Sequence, residues 1–85
     1  MKTFEDLGFT KENMGDNFSP RMIRYTHKSY KDNGEINIWF MLSNYKIDIS
    51  TTTFFMIDVD LIEAINAECL RLKWIKPEGR HAACQ

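Results

Sequence analysis

The residues best suited to metal chemistry lie near the C-terminal end of the chain. Cys69, His81 and Cys84 offer two thiols and an imidazole, which are ligand types that zinc prefers. This set is one ligand short of a closed tetrahedral site, and it contains no Cys-x-x-Cys pair. The pattern instead indicates a buried helical thiol at Cys69 and two residues of a loose tail. We therefore expect no metal and no cofactor.

A thiol, an imidazole and a set of carboxylates are the side chains that could serve nucleophilic or acid–base catalysis. A catalytic thiol needs an accessible, electropositive setting and a partner base, and the apolar pattern around Cys69 argues against both. His27 is the one histidine outside the tail, and it would be a base without a nucleophile. Asp58, Asp60 and Glu63 fall in the first turns of a predicted helix, where carboxylates stabilise the positive end of the helix dipole. We expect a protein that is not an enzyme.

One predicted strand carries side chains that are better suited to binding than to catalysis. Residues 36–42 alternate between apolar side chains and others, which places Trp39 and Met41 on the face opposite the buried one. If Arg24 and Lys28 of the preceding strand share that outer face, an aromatic ring and a thioether are bordered by two cations. Trp, Met and Arg are enriched where proteins form interfaces. Two interpretations stay open: a solvated face with a single Trp, or a partner-binding patch. The candidate patch comprises Arg24, Lys28, Trp39 and Met41.

The N-terminal segment carries the signature of a short helical turn. Thr3 precedes Asp6 by three positions, the spacing of a capping box, and Gly8 can supply the left-handed stop. The following segment, Thr10–Pro20, is polar and contains Gly, Asn and Pro, so it is predicted to be a loop.

The middle of the chain is predicted to be an antiparallel meander. The Asn33-Gly34 pair favours a tight hairpin turn, and Ser43–Tyr45 indicates a second turn. The last β-prone run is either a fourth strand or a continuation of the third. The predicted strand regions are Arg21–Tyr30, Ile36–Leu42, Ile47–Ile49 with its neighbours, and Thr52–Ile57.

The C-terminal third has the period of a helix. Leu61, Ile65, Cys69 and Leu72 recur at helical spacing and form one apolar stripe, with Asp58 as the N-cap. Pro77 and Gly79 are expected to end the helix. The predicted class is therefore α+β: a small antiparallel sheet of three to four strands with one C-terminal helix packed on it and a short N-terminal helical turn. Residues 1–76 are predicted to form a single domain, and residues 77–85 a flexible tail.

Composition narrows the class of protein further. The 85 residues are 44% hydrophobic and 13% aromatic, which favours a folded domain, and the net charge of −1 argues against binding to duplex DNA. The N-terminus has no signal-peptide pattern, and the longest apolar runs are too short to span a bilayer. We expect a cytoplasmic protein with no membrane partner.

Both ends of the chain carry motifs that resemble a known group of proteins. The helix pattern Ala64-Ile65-Asn66, Cys69, Leu72 and Trp74-Ile75, together with the N-terminal phrase Phe4–Phe9, resembles small uncharacterised phage and prophage accessory proteins. The likeness spans most of residues 3–75. Such proteins often have Gly where this chain has Lys73, so a different C-terminal cap is expected here. The resemblance implies an accessory protein of a mobile element, and it implies no catalytic residues.

Three functional hypotheses follow. The preferred one is a phage or prophage protein that binds a bacterial host or defence protein and inhibits it by occlusion, in the manner of anti-CRISPR or anti-restriction proteins. The second is a nucleic-acid-binding module that uses Arg24, Lys28, Trp39 and Tyr25, although a Gly-rich strand signature with several stacking aromatics is missing. The third is a structural homo-oligomer, a homodimer being its simplest form.

Overall fold

The computed structural model describes residues 1–15 and 21–76. Its main elements are β1 (Thr10–Met14), β2 (Met22–His27), β3 (Ile36–Met41), β4 (Lys46–Thr51) and α1 (Val59–Arg71). The strands form one antiparallel sheet in the order β1-β2-β3-β4. The α+β class with a meander sheet and one C-terminal helix is therefore confirmed.

The chain divides into two compact units. One is Gly8–Met56, which contains the whole sheet, and the other combines Met1–Leu7 with Ile57–Gln85 and contains the helix. The docking of the helix on the sheet and the single-domain boundary at residue 76 stay predictions. The predicted tail, residues 77–85, lies outside the described residues.

The first strand was predicted to be a loop, and this prediction was wrong. Residues 10–14 of the Thr10–Pro20 segment form β1, which pairs with β2 so that Glu12 lies opposite Arg24. Almost all side chains of β1 are exposed. The strand therefore lacks an apolar alternation, because an edge strand is held by backbone hydrogen bonds and needs no buried face of its own.

The connection between β2 and β3 is longer than the predicted Asn-Gly turn. It runs over residues 28–35 and contains a 3-10 turn at Tyr30–Asp32, while Asn33 has an ordinary φ of −103°. The positive φ values fall on Lys31, Asp32 and Gly34 instead. Tyr30 is buried, and its ring lies 5.5 Å from that of Phe9. The loop is longer because it carries this aromatic side chain into the core.

The sheet has four strands, and β4 is the strand predicted around Ile47–Ile49. Residues 52–57, predicted to be either a further strand or a continuation of that one, form no strand. β4 ends at Thr51, whose hydroxyl donates to the carbonyl of Thr53 (2.8 Å). The Thr53 hydroxyl in turn donates to the carbonyl of Asn33 (2.7 Å), in the β2–β3 connection. These hydroxyl bonds hold residues 52 and 53 in bends rather than in an extended strand.

The two faces of the sheet alternate as predicted for β3. Ile36, Ile38 and Phe40 are fully buried. The same face of β2 carries Ile23 and Tyr25, whose partners across the strands are Phe40 and Ile38. The register of the predicted strand is therefore correct.

The N-terminal segment is a capped turn, and the structure assigns no helix there. The Thr3 hydroxyl accepts a hydrogen bond from the Asp6 N–H (3.1 Å), and the Asp6 carboxylate accepts one from the Thr3 N–H (3.0 Å). These two bonds make the predicted capping box. The Thr3 N–H, and then its hydroxyl, lower the pKa of Asp6. Gly8 follows with a φ of +87°, the left-handed conformation expected of it.

The helix begins where predicted and ends earlier. The Asp58 carboxylate accepts from the Leu61 N–H (2.9 Å), which is an N-cap bond. At the other end, Lys73 has a φ of 63°, and the Trp74 N–H donates to the Cys69 carbonyl (2.9 Å). A second bond joins the Lys73 N–H to the Leu70 carbonyl, which completes a Schellman motif. The helix is thus closed at residue 71, before Pro77 and Gly79.

One charged residue belongs to the buried side of the helix. Leu61, Ala64 and Glu68 are buried, whereas Ile65 and Leu72 of the predicted stripe are half-buried. The Glu68 carboxylate accepts two hydrogen bonds from Arg71, at 3.0 Å from Nε and 2.5 Å from Nη2. This bidentate pairing satisfies a buried charge that the apolar periodicity did not reveal.

Candidate functional site

The candidate site is the outer face of the sheet, which is opposite to the face of Phe40. Its central row crosses all four strands and joins Glu12, Arg24, Trp39 and Asp48, each beside the next in the strand register. The two rows that flank it contain the alternate residues of each strand. They are Met14, Met22, Met41 and Lys46 on one side, and Thr10, Thr26, Asn37 and Ser50 on the other.

Arg24 and Trp39 form the centre of this face. The guanidinium carbon of Arg24 lies 5.2 Å from the centroid of the Trp39 ring, which is within the range of a cation–π contact. Nη2 of Arg24 also forms an ion pair with Glu12. The Nε atom of Arg24 is buried and has no hydrogen-bond partner among the described residues. The cation therefore lies over the indole and is already paired with a carboxylate.

Met14, Met22 and Met41, the methionine row, give this face its most unusual chemistry. Met22 lies opposite both Met14 and Met41, so three thioethers stand side by side across three strands, and all three are half-buried. The row continues into a shallow groove. That groove is lined by Met22, Met41, Ser43, Asn44, Lys46, Ile47 and Asp48. Methionine side chains are flexible and polarizable, so such a row can adapt to different apolar partners.

The opposite flank of the face is polar. The Thr26 hydroxyl donates to the Asn37 side-chain oxygen (2.8 Å). Lys28 is exposed and follows the end of β2, where it lines a second groove that also contains Arg24. The carboxylates of Glu12 and Glu35 line the same groove. Acidic groups beside both cations make this groove a poor site for phosphate.

The structure brings together some, but not all, of the four residues predicted from sequence to form the patch. Trp39 and Arg24 are in contact, Met41 lies two positions further along β3, and Lys28 stands apart at the polar end. Sequence reasoning missed Met14 and Met22. The alternation of Ile23 and Tyr25 in β2 was a signal for Met22, whereas nothing in the polar β1 segment marked Met14.

His27 has a structural position. Its Nδ1 accepts a hydrogen bond from the Ser29 N–H (3.0 Å), and its ring packs edge-on against Phe9 at 5.1 Å. Nε2 faces the backbone of Gly8, where an added Cβ would lie 3.3 Å from it. His27 is therefore held by a local hydrogen bond at Nδ1 and by packing of its ring against Phe9.

The other residues with chemical potential also have structural surroundings. Cys69 is a buried free thiol, and burial followed by the charge of Glu68 raises its pKa. Asp58 caps the helix, and Glu63 accepts a hydrogen bond from the Lys2 N–H (3.0 Å). His81 and Cys84 lie outside the described residues.

The described residues contain neither a cluster of His, Cys, Asp or Glu ligands for a metal nor a helix that could span a membrane. Within residues 1–15 and 21–76, no group of three or more His, Cys, Asp or Glu side chains is placed to hold a metal ion. No helix in the same ranges is long and apolar enough to cross a membrane. In comparisons with known proteins, no family model, curated protein or solved structure matches this chain.

Proposed function

We propose that this chain is a non-enzymatic protein-binding domain, and that its outer sheet face docks an apolar surface of a partner protein. The partner we propose is a bacterial host or defence protein, which the domain inhibits by occlusion.

The observation that carries the proposal is the methionine row beside Trp39. Thioethers and an indole occupy neighbouring positions of one sheet face, where a solvated face would carry polar or charged side chains. Trp and Met are among the residue types enriched in the central part of interfaces, while Lys and Glu are depleted there. A protein partner that supplies aliphatic or aromatic anchors would cover this apolar row.

The charges of the face favour a protein partner over a nucleic acid. The central row and the β4 end of the neighbouring row contain Arg24 and Lys46 against Glu12 and Asp48, so their formal charges cancel. Arg24 is already paired with Glu12. Binding to single strands draws on a positive groove and several stacking aromatics, whereas the described strands carry one aromatic on this face, Trp39.

The identity of the partner class rests on the resemblance of the chain ends to phage and prophage accessory proteins. Such a protein acts in the cytoplasm of the bacterial host. Inhibition by occlusion needs a small scaffold with one specific surface and no catalytic group, which agrees with the structural positions of His27 and Cys69.

The test is capture of proteins from bacterial lysates by the immobilised domain. The double variant Met22→Ser/Met41→Ser should lose a stoichiometric protein that the wild type captures, because both thioethers leave the row. The matched control is Thr26→Ser, a small change on the polar flank of the same face, and it should retain that protein.

The outcome of this experiment separates the hypotheses. A partner retained equally by the wild type and the methionine variant would place binding elsewhere and would contradict the proposal. Recovery of no protein from several hosts would also count against it. Binding of short single-stranded oligonucleotides that weakens steeply with salt would support the nucleic-acid alternative instead.

A further inference from the structure

The methionine row has a second property besides its apolar surface, because each of its side chains carries a thioether sulfur. Thioether sulfur is a soft ligand, and soft ligands select Cu(I) over the harder divalent ions. Met14, Met22 and Met41 are three of the five methionines in the chain, and one sheet positions all of them. The sheet therefore gathers most of the thioethers of this protein on one face.

We propose that the methionine row is a binding site for a soft monovalent metal ion, Cu(I) or its redox-inert analogue Ag(I). Met22 and Met41 form the central ligand pair, and Met14 is the third ligand. The site differs from the Cys and His set considered from the sequence, because it uses thioethers only. It does not depend on the proposed function, since a metal ion needs the sulfur atoms and a protein partner needs the apolar surface.

The hydrogen bonding of the sheet brings Met22 and Met41 close together. The Leu42 N–H donates to the Arg21 carbonyl (3.0 Å), so residues 21 and 42 are a hydrogen-bonded pair of the antiparallel ladder. The next pair, Met22 and Met41, is then of the non-hydrogen-bonded kind, in which the Cα atoms are about 4.5 Å apart and the side chains are closest. Two flexible thioethers at this separation can turn both sulfur atoms toward one ion.

Met14 extends the row from the other side of Met22. Hydrogen bonding alternates along a strand, so Met22, which is not bonded to β3, directs its N–H and carbonyl toward β1. Met14 and Met22 are therefore a hydrogen-bonded pair, with Cα atoms about 5.5 Å apart. Because Met22 is the common neighbour of the other two methionines, its loss should weaken the site most.

The composition of the row favours a monovalent ion. The thioethers are neutral, and the row as the described strands form it contains no carboxylate or imidazole. A divalent ion would therefore keep its charge uncompensated in a half-buried site. Zinc and magnesium also prefer nitrogen, thiolate or oxygen ligands. Met22 and Met41 line the shallow groove beside the row, which gives an ion access from solvent.

Lys46 occupies the β4 end of the row, opposite Met41, and its ammonium disfavours a cation there. The side chain is exposed and long enough to hold its charge away from the sulfur atoms. Lys46→Met replaces the opposing charge by a fourth thioether in the same register. This variant should bind the ion severalfold more tightly than the wild type, and weaker binding would contradict the proposed position of the ion.

The first test follows Ag(I) binding by NMR of protein labelled with carbon-13 at the methionine methyl groups. A Cys69→Ala/Cys84→Ser background removes the two thiols, which would otherwise compete for a soft ion. The three methyl resonances of the row should shift together as Ag(I) is added. Those of Met1 and Met56, which are exposed, should stay unchanged and serve as internal controls. Equal shifts of all five methyl groups would overturn the inference.

The second test measures the affinity for Ag(I) by isothermal titration in the same background. Met22→Leu keeps the apolar volume and removes one sulfur. It should weaken binding at least about tenfold, since even loss of a group that only orients a metal ligand typically lowers metal affinity about 10–100-fold. Met56→Leu is the matched control, because it makes the same substitution outside the row, and it should leave the affinity unchanged.

The leucine substitutions also separate the metal site from the protein-binding surface. Met22→Leu/Met41→Leu should lose the metal ion and retain a captured protein, because leucine preserves the apolar surface. Met22→Ser/Met41→Ser should lose both. If the wild type shows no saturable binding of Ag(I), or if Met22→Leu binds it as tightly as the wild type, the metal site is overturned and the proposed function is unaffected.

Discussion

The guanidinium of Arg24 lies over the indole of Trp39, 5.2 Å from the ring centroid, on neighbouring strands. This contact makes Trp39 half-buried even though it lies on the outer face of the sheet. The indole therefore contributes to stability as well as to the candidate binding surface.

The first prediction compares Trp39 with its neighbour in sequence. Trp39→Ala should lower the free energy of unfolding by about 1 kcal/mol, because the cation–π contact and part of the ring's burial are lost. Phe40→Ala should cost about 3–5 kcal/mol, because Phe40 is fully buried and its removal leaves a cavity. Urea unfolding of the two variants measures both values.

A matched control separates the contact from the burial. Arg24→Met removes the cation and keeps an aliphatic side chain over the ring, so Trp39→Ala should cost less in that background than in the wild type. A larger cost for Trp39→Ala than for Phe40→Ala would contradict this assignment of faces, because a shift of β3 by one residue exchanges them.

The sheet shows what sequence reasoning can and cannot recover. β3 was predictable because its alternation reflects one buried face, and the capping residues Thr3 and Asp58 were predictable because local hydrogen bonds depend on residues close in sequence. β1 was not predictable, because an edge strand without buried side chains is defined by a partner that lies elsewhere in the sequence. Met41 was predicted to lie on the outer face, but its alignment with Met14 could not be predicted, because it depends on that same strand pairing.

The helix shows a second limit. Glu68 is buried in a position that an apolar stripe would assign to a hydrophobic residue, and its pairing with Arg71 compensates for that burial. The C-terminal end was set by backbone hydrogen bonds around Lys73, which a sequence rule based on Pro and Gly does not include.

The second prediction concerns that helix end. Lys73 has a φ of 63°, a conformation that costs a residue with a Cβ about 1 kcal/mol and costs glycine little. Lys73→Gly should therefore raise the free energy of unfolding by about 1 kcal/mol. Thermal unfolding monitored by circular dichroism measures the change.

The control for this position is Lys73→Ala. It removes the same charged side chain and keeps the Cβ, so the strain stays and no comparable gain is expected. If alanine stabilises as much as glycine, the effect comes from the lysine side chain and not from the backbone conformation.

The third prediction tests the buried ion pair. Arg71→Met should lower the free energy of unfolding by about 1–3 kcal/mol, because it leaves the Glu68 carboxylate buried without its two hydrogen bonds. The double variant Glu68→Met/Arg71→Met should be more stable than Arg71→Met alone, since no unpaired charge is left. Strictly additive costs in this double-mutant cycle, measured by urea unfolding, would show that the pair is uncoupled.

The fourth prediction uses the thiol of Cys69 as a pH probe. Burial, and then the charge of Glu68, raise its pKa above the ordinary value of 9.0, so the folded state holds the thiol proton more tightly than the unfolded state does. The resulting stability is fully present below pH 9 and is lost as the pH rises through the folded-state pKa. Cys69→Ala removes this contribution, so the loss of stability above pH 9 should be shallower in the variant than in the wild type when unfolding is followed in urea. Below pH 9 the free energies of unfolding of the two proteins should differ by a constant amount, which reflects packing alone.

If the free energy of unfolding falls equally with pH in both proteins across the whole alkaline range, the result would contradict a buried thiol at this position.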